Sequence, residues 1–468
     1  MTDLYEQIGP ERALSSQARA LYEQVRDLPI VSPHGHCDPQ WWADDGPFPD
    51  PATLLIVPDH YVFRMLYSHG ISLESLGVGV PEEERDPRKI FRIFADHWHT
   101  FLGTPSREWL EYTLYKILGV DREIGPETSD TVFDQIAEKL AQPDFRPRSL
   151  FDSFNIEVLA TTDTATDTLD HHDTIHGSGW AGRIVPTFRP DSVLSPAREE
   201  FPASVAELGD LTGQDTSTFS DHLEALKQRR AFFRERGATA TDHDVRVLTT
   251  SWLSRPEMEA LHARALQGEL TGDEANHYYG HMLVEMAQMS AEDGMVMQLH
   301  VGSYRNTNHA LYEKFGPDKG TDIPATANWV KGLEVLLNRV GNDPRFRMIA
   351  FTLDEASYSR ELAPMAGHWP CMRIGPPWWF HDSVNGLRRY FDQVVETAGY
   401  YNLAGFNDDT RAFLSIPARH NTFRRAVALH LADQVSNGRL VQRDAERLAP
   451  QLCRDLALDA YRLNRAET

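Results

Sequence analysis

Two hydrophobic periodicities alternate along this chain. Runs of four to eight residues rich in Val, Ile, Leu and Thr are separated by stretches whose apolar residues recur every three or four positions. The first pattern marks buried strands and the second amphipathic helices. Eight strand-like runs are found: Leu28–Val31, Ile156–Asp163, Arg183–Arg189, Val245–Thr250, Met295–His300, Phe346–Leu353, Cys371–Gly375 and Leu403–Phe406. Helix-patterned segments such as Ala325–Val340 and Leu387–Ala398 lie between most of them. Strands alternating with helices predict an α/β fold with parallel pairing, and eight units predict a closed (β/α)8 barrel of the TIM type. Seven would have favoured an open, doubly wound sheet.

The first two runs are separated by far more chain than one crossover helix requires. Ile90, Phe91, Phe94, Trp98, Phe101 and Leu102 share one helical face, and Trp109–Leu118 continues the pattern. The expected organisation is therefore an N-terminal segment with strand 1 (residues 1–36), a mostly helical insertion contributing to the site (37–150), and the rest of the barrel with C-terminal helices (151–468). A smaller helical excursion is expected over Ser195–Arg236, and helices over about 417–464 packed outside the barrel.

Charge narrows the function classes. The 468 residues carry 46 Lys plus Arg against 69 Asp plus Glu, a net charge of −23. No basic cluster exceeds a pair such as Arg388-Arg389 or Arg424-Arg425, so a nucleic-acid partner is not expected. No apolar run approaches the roughly 18 residues of a membrane-spanning helix. The acidic N-terminus does not read as a signal peptide. Three widely spaced cysteines, Cys37, Cys371 and Cys453, fit a reducing compartment. A cytoplasmic, homo-oligomeric protein acting on a small molecule is expected.

Barrels of this type place their chemistry at the C-terminal ends of the strands. Those ends carry His34-Gly35-His36, Thr161-Thr162-Asp163, Arg189-Pro190-Asp191, His300, Trp378-Trp379 and Asp408-Asp409 with Arg411 beyond. Side chains at i and i+2 of extended chain point the same way, so His34 and His36 can reach one metal ion. The pair His97-Trp98-His99 has the same spacing but lies in a helical pattern, where such positions diverge by about 200°. Asp409 is the natural third ligand, because strand 8 neighbours strand 1 in a closed barrel. The competing reading is a helix N-cap ahead of Thr410–Leu414, a role open to Asp408. His300 is open between a fourth ligand, a substrate contact and a core histidine. Gly177-x-Gly179-x-x-Gly182 follows a helix and precedes a strand, the reverse of a dinucleotide-binding turn. His171-His172-Asp173 reads as solvated helix surface.

With these residues in place, the chain resembles the uronate (glucuronate) isomerases of the amidohydrolase superfamily. The likeness runs nearly the whole length. It is carried in order by His34–Gln40 (HGHCDPQ), Asp59–Met65 (DHYVFRM), Thr161–Asp163, Phe188–Asp191 (FRPD), Gln298–Asn306 (QLHVGSYRN), Trp378–Asp382 (WWFHD) and Asp409–Leu414 (DTRAFL). The resemblance implies interconversion of D-glucuronate with D-fructuronate, and of D-galacturonate with D-tagaturonate, through a cis-enediol. It implies one divalent metal, zinc by expectation, on His34, His36 and Asp409. Asp409 or Tyr61 would move the proton, Arg411 would polarise the carbonyl, and His60 would join them. Arg189, Arg305, Trp378, Trp379, Asp163 and His300 would line the substrate pocket. Thr164-Ala165 and His381 depart from the family pattern and bear on substrate preference.

Three arginines at one rim, with a dication, could reverse the field of an acidic protein locally and receive an anionic substrate. The alternative is a mononuclear metal-dependent hydrolase on the same barrel. The absence of a metal-bridging Lys or Glu after Val245–Thr250 argues for a single metal.

Overall fold

The computed structural model describes residues 4–464. Seven barrel strands run parallel in sequence order. They are β1 (Ile30–Ser32), β2 (Ile156–Ala160, resuming at Asp163–Thr164), β3 (Ile184–Val185 and Phe188–Arg189), β4 (Ala240–Val245), β5 (Val296–Val301), β6 (Met348–Thr352) and β7 (Met372–Ile374). Ladders join β1 to β2 and β2 to β3, then β3 through to β7. The eighth position is a single bridge, Leu403 to Ile374. Among the described residues no ladder joins it to β1. Two backbone hydrogen bonds span that seam higher up, His36 N–H to the Thr410 carbonyl at 2.9 Å and Asp409 N–H to the His34 carbonyl at 3.3 Å.

Strand 4 lies earlier than its sequence pattern predicts. Val245–Thr250 alternates like a strand, yet β4 is Ala240–Val245 and the chain leaves the sheet at Arg246. The cause is chemical. Asp242 and Asp244 are polar because they line the cavity, and Thr241 and His243 meet each other at 3.1 Å on the other face, so the apolar signal that marks a strand is missing where the strand is.

The period-two alternation of the strands sorts their side chains. Val31, Val158, Val185, Ala240, Val296, Ile349 and Ala404 meet inside the barrel. Their neighbours Met297, Leu299, Met348, Ala350, Met372 and Ile374 face outward into the core shared with the surrounding helices. Gly375 is required where the wall is tightest, since a Cβ there would lie 2.0 Å from the Phe351 ring.

The C-terminal chain corrects a second expectation. Helix Ile416–Ser436 packs on the barrel's flank, but Ala457, Leu458, Ala460, Tyr461 and Leu463 join the interior cluster. They close the floor. Arg183 donates to the Leu463 carbonyl at 2.7 Å, and Arg462 donates to the Gly294 and Arg345 carbonyls, all just ahead of strands.

Between β1 and β2 the chain is helical from Gln40 to Ser153, around Trp42, Phe63, Phe91, Phe94, Trp98, Phe101 and Phe133, a core that continues into Ile30, Ile156 and Ile184 of the first strands. The face read from Ile90 onward holds through Phe101. Leu102 is 68% exposed, because the helix ends at Asp96 and the chain turns through Trp98–Phe101.

Candidate active site

A cavity of about 760 Å³ opens at the C-terminal ends of the strands. It is lined by His34, His36, His60, Tyr61, Arg189, His300, Arg305, Trp378, Trp379, Asp409 and Arg411. One expected residue is not there. Thr161 and Asp163 lie on the opposite face of β2 from Val158 and Ala160, and the Thr161 hydroxyl donates to Asp163 at 2.7 Å. Their partner is His172, whose Nε2 is 2.9 Å from that hydroxyl. His172 is thus buried, not solvated as its helix pattern implies, while Asp173 is exposed and pairs with Arg236.

His34 and His36 follow β1 in extended chain. Gly35 between them lets the backbone pass Thr410, whose carbonyl would lie 3.3 Å from a Cβ at that position. Asp409 Oδ1 sits 3.0 Å from His36 Nε2 and 3.5 Å from His34 Nε2. Asp409 adopts a left-handed φ of +41°, and Trp379 one of +54°. Such conformations persist in non-glycine residues only where surrounding structure imposes them, often at functional sites. Asp408 is no helix cap. It is buried against His420, at 3.2 Å.

Asp242 and Asp244 also line the cavity, and the sequence does not point to them, because its apolar run Val245–Thr250 lies beyond the strand that carries them. The His300 ring stacks on His34 at 4.8 Å, and its Nδ1 is 2.7 Å from Asp242 Oδ1. That contact leaves His300 Nε2 buried with no protein partner. Two donor sets, His34/His36/Asp409 and His34/Asp242/His300, each bring their ligand atoms within 4.8 Å of one another. Imidazole nitrogens plus carboxylate oxygens, with His300 Nε2 buried and unpartnered among them, fit a divalent metal ion. Burial pushes His34 down to about 3, the neutral form a ligand needs. Burial opposes ionisation of Asp409, yet the hydrogen bond from His36 and the nearby His34 hold its carboxyl well below the usual range.

The wall is basic. Arg189 pairs with Asp191 at 2.9 Å and Asp242 at 3.3 Å, and Arg305 with Asp322 at 2.9 Å and Asp244 at 3.2 Å. These carboxylates hold the guanidiniums in place. Arg411 is 39% exposed and meets Asp318 at 3.5 Å. His60 and Tyr61 begin a helix (His60–Ser68) capped by the Asp59 carboxylate, which accepts from Tyr61 N–H and Val62 N–H. Burial pushes the Tyr61 phenol up, so it is neutral at physiological pH.

The glucuronate isomerase family pattern matches residues 12–462. The chain belongs to the uronate isomerase family. It is 53% identical over 446 residues to the uronate isomerase of Rhizorhabdus wittichii, covering 95% of each chain. Among solved structures, the glucuronate isomerase of Caulobacter crescentus superposes with a TM-score of 0.94 at 46% identity, over 100% of this chain and 97% of that one. The uronate isomerase of Thermotoga maritima gives 0.92 at 29% identity, over 97% and 99%. This isomerase is an enzyme on a barrel, and the hydrolase alternative is set aside. The missed carboxylates Asp242 and Asp244 carried one signal, an i, i+2 spacing like that of His34 and His36. The departures Thr164-Ala165 and His381 do not line the cavity; His381 instead lies 3.4 Å from Glu355.

Proposed function

We propose that this isomerase interconverts D-glucuronate with D-fructuronate and D-galacturonate with D-tagaturonate, taking the open-chain sugar acid and passing through a cis-enediol. The observation that carries the reading is the meeting, in one cavity, of an ionised carboxylate, a neutral phenol and three arginines. Arg189 and Arg305 grip the substrate carboxylate, for which the guanidinium fork is suited. Arg411 donates to the carbonyl oxygen at C1. An ionised carboxylate can accept a proton at neutral pH and a buried phenol can donate one, which divides the work. Asp409 takes the C2 proton as the C–H electrons form the C1–C2 double bond, and the C1 oxygen takes the proton of Tyr61. In the second half the C2 hydroxyl returns a proton to the Tyr61 oxygen, and the proton on Asp409 goes to C1. Both side chains end as they began.

His34, His36 and Asp409 would hold one divalent ion, with His300 Nε2 turned to the same region and Asp242 fixing its ring. Bound there, it would supply positive charge beside the substrate oxygens. Zinc is the expected ion on this donor set. Residues 37–150 form a unit that builds the site as well as covering it, since it supplies His60 and Tyr61.

A coupled reductase assay with glucuronate and with galacturonate tests the reading. Keto-acid formation from at least one is expected, with slower turnover for C2-deuterated sugar if proton removal limits the rate. Failure to form keto acid from either would sink it.

A further inference from the structure

Tyr61 has a buried cation behind it that takes no part in the proton transfers above. Arg419, in the first turns of helix Ile416–Ser436, is 3% exposed and reaches the cavity wall. Its guanidinium lies 3.7 Å from the centroid of the Trp109 ring and 5.3 Å from that of Tyr61. Trp109 in turn meets Tyr61 edge-on, with centroids 5.5 Å apart at 83°. One arm donates to Asp382 at 2.8 Å, and Nε donates to Ser415 at 3.3 Å. The cation therefore joins three parts of the chain: the helical insertion through Tyr61 and Trp109, the segment after β7 through Asp382, and its own helix.

We propose that Arg419 is a positioning residue for the proton transfer, holding the Tyr61 ring through Trp109 and offsetting the negative charge that forms on the phenol oxygen when it gives up its proton. The inference rests on the role given to Tyr61 above. A phenolate in a water-poor site is costly, and a fixed guanidinium close to the ring lowers that cost without touching the substrate. Stacking on Trp109 and the bond to Asp382 fix the guanidinium plane. Lysine keeps the charge at this site but not the planar stack.

A double-mutant cycle tests it. Arg419→Met should lower kcat by about tenfold or more with KM changed by less than about twofold, the signature of an interaction made in the transition state. Arg419→Lys should recover part of the loss. In a Tyr61→Phe background, Arg419→Met should cost less than about twofold more, because the oxygen it serves is gone. If Arg419→Met does not fold, the pair can be removed as a unit with Arg419→Met/Asp382→Asn, and the same cycle run on that background. An equal loss with and without the Tyr61 hydroxyl overturns the proposal, as does a rise in KM matching the fall in kcat/KM. Full activity in Tyr61→Phe alone would instead reject the role of Tyr61 on which the proposal rests.

Discussion

Asp163 shows how much a single strand position decides. Its carboxyl faces away from the cavity, and burial, only partly opposed by the Thr161 hydroxyl, raises it from 3.8 to about 7. In the unfolded chain the group ionises near its ordinary value, while the folded chain keeps it protonated to near neutrality. Its contribution to stability is therefore full below about pH 4 and lost as pH rises towards 7. Asp163→Asn, which cannot ionise, should gain stability relative to the parent as pH goes from 5 to 8. Melting temperatures of both proteins across that range check it, and a constant difference would show that the carboxyl titrates normally. Turnover should change little, since the residue does not line the cavity. The motif Thr161-Thr162-Asp163 is legible in the sequence. That its carboxyl faces Thr161, and through that hydroxyl His172, is not, because a slip of one residue in register exchanges the two faces of a strand.

Among the elements, the C-terminal segment carries the clearest consequence. Helix patterning alone leaves it on the barrel's outside, since a short apolar helix looks the same against a flank or a floor. In the fold, Leu458 is 5% exposed and packs in the interior cluster with Val31, Val158, Val185 and Val296. Leu458→Ala should destabilise the protein by about 2–5 kcal/mol, as buried Leu to Ala changes do. Because the floor lies at the opposite end of the strands from the chemistry, KM should be unchanged at temperatures where the variant is folded. Denaturant unfolding and steady-state kinetics together check this. A loss of activity without a loss of stability would place the segment nearer the site than the fold does. β4 teaches the complementary lesson: Thr241–Asp244 hides from a hydrophobicity pattern because its inward positions belong to the active site.

At the scale of the molecule, the two ends of the barrel sequence meet at the site. His34 and His36 follow β1 and Asp409 follows the eighth position, and the seam is joined by two backbone bonds and by the contacts of Asp409 with His36 and His34 rather than by a strand ladder among the described residues. A metal on these three side chains would tie the seam, so its binding should add to stability by mass action. Removing metal with a chelator is expected to abolish turnover and lower the melting temperature, with both restored by zinc. His36→Ala should lower metal content and make the melting temperature insensitive to the chelator. Unchanged metal stoichiometry in that variant would reject the ligand set. The sequence by itself determined what is local: strand and helix periods, the eight-unit count that implies a barrel, the i, i+2 histidines, and the ordered motifs that mark the family. Tertiary structure alone decided which face of β2 carries Asp163, where β4 begins, that Asp242 fixes His300, and that Arg419 stands behind Tyr61. Those outcomes depend on register and on contacts between distant segments, and a one-dimensional pattern carries neither.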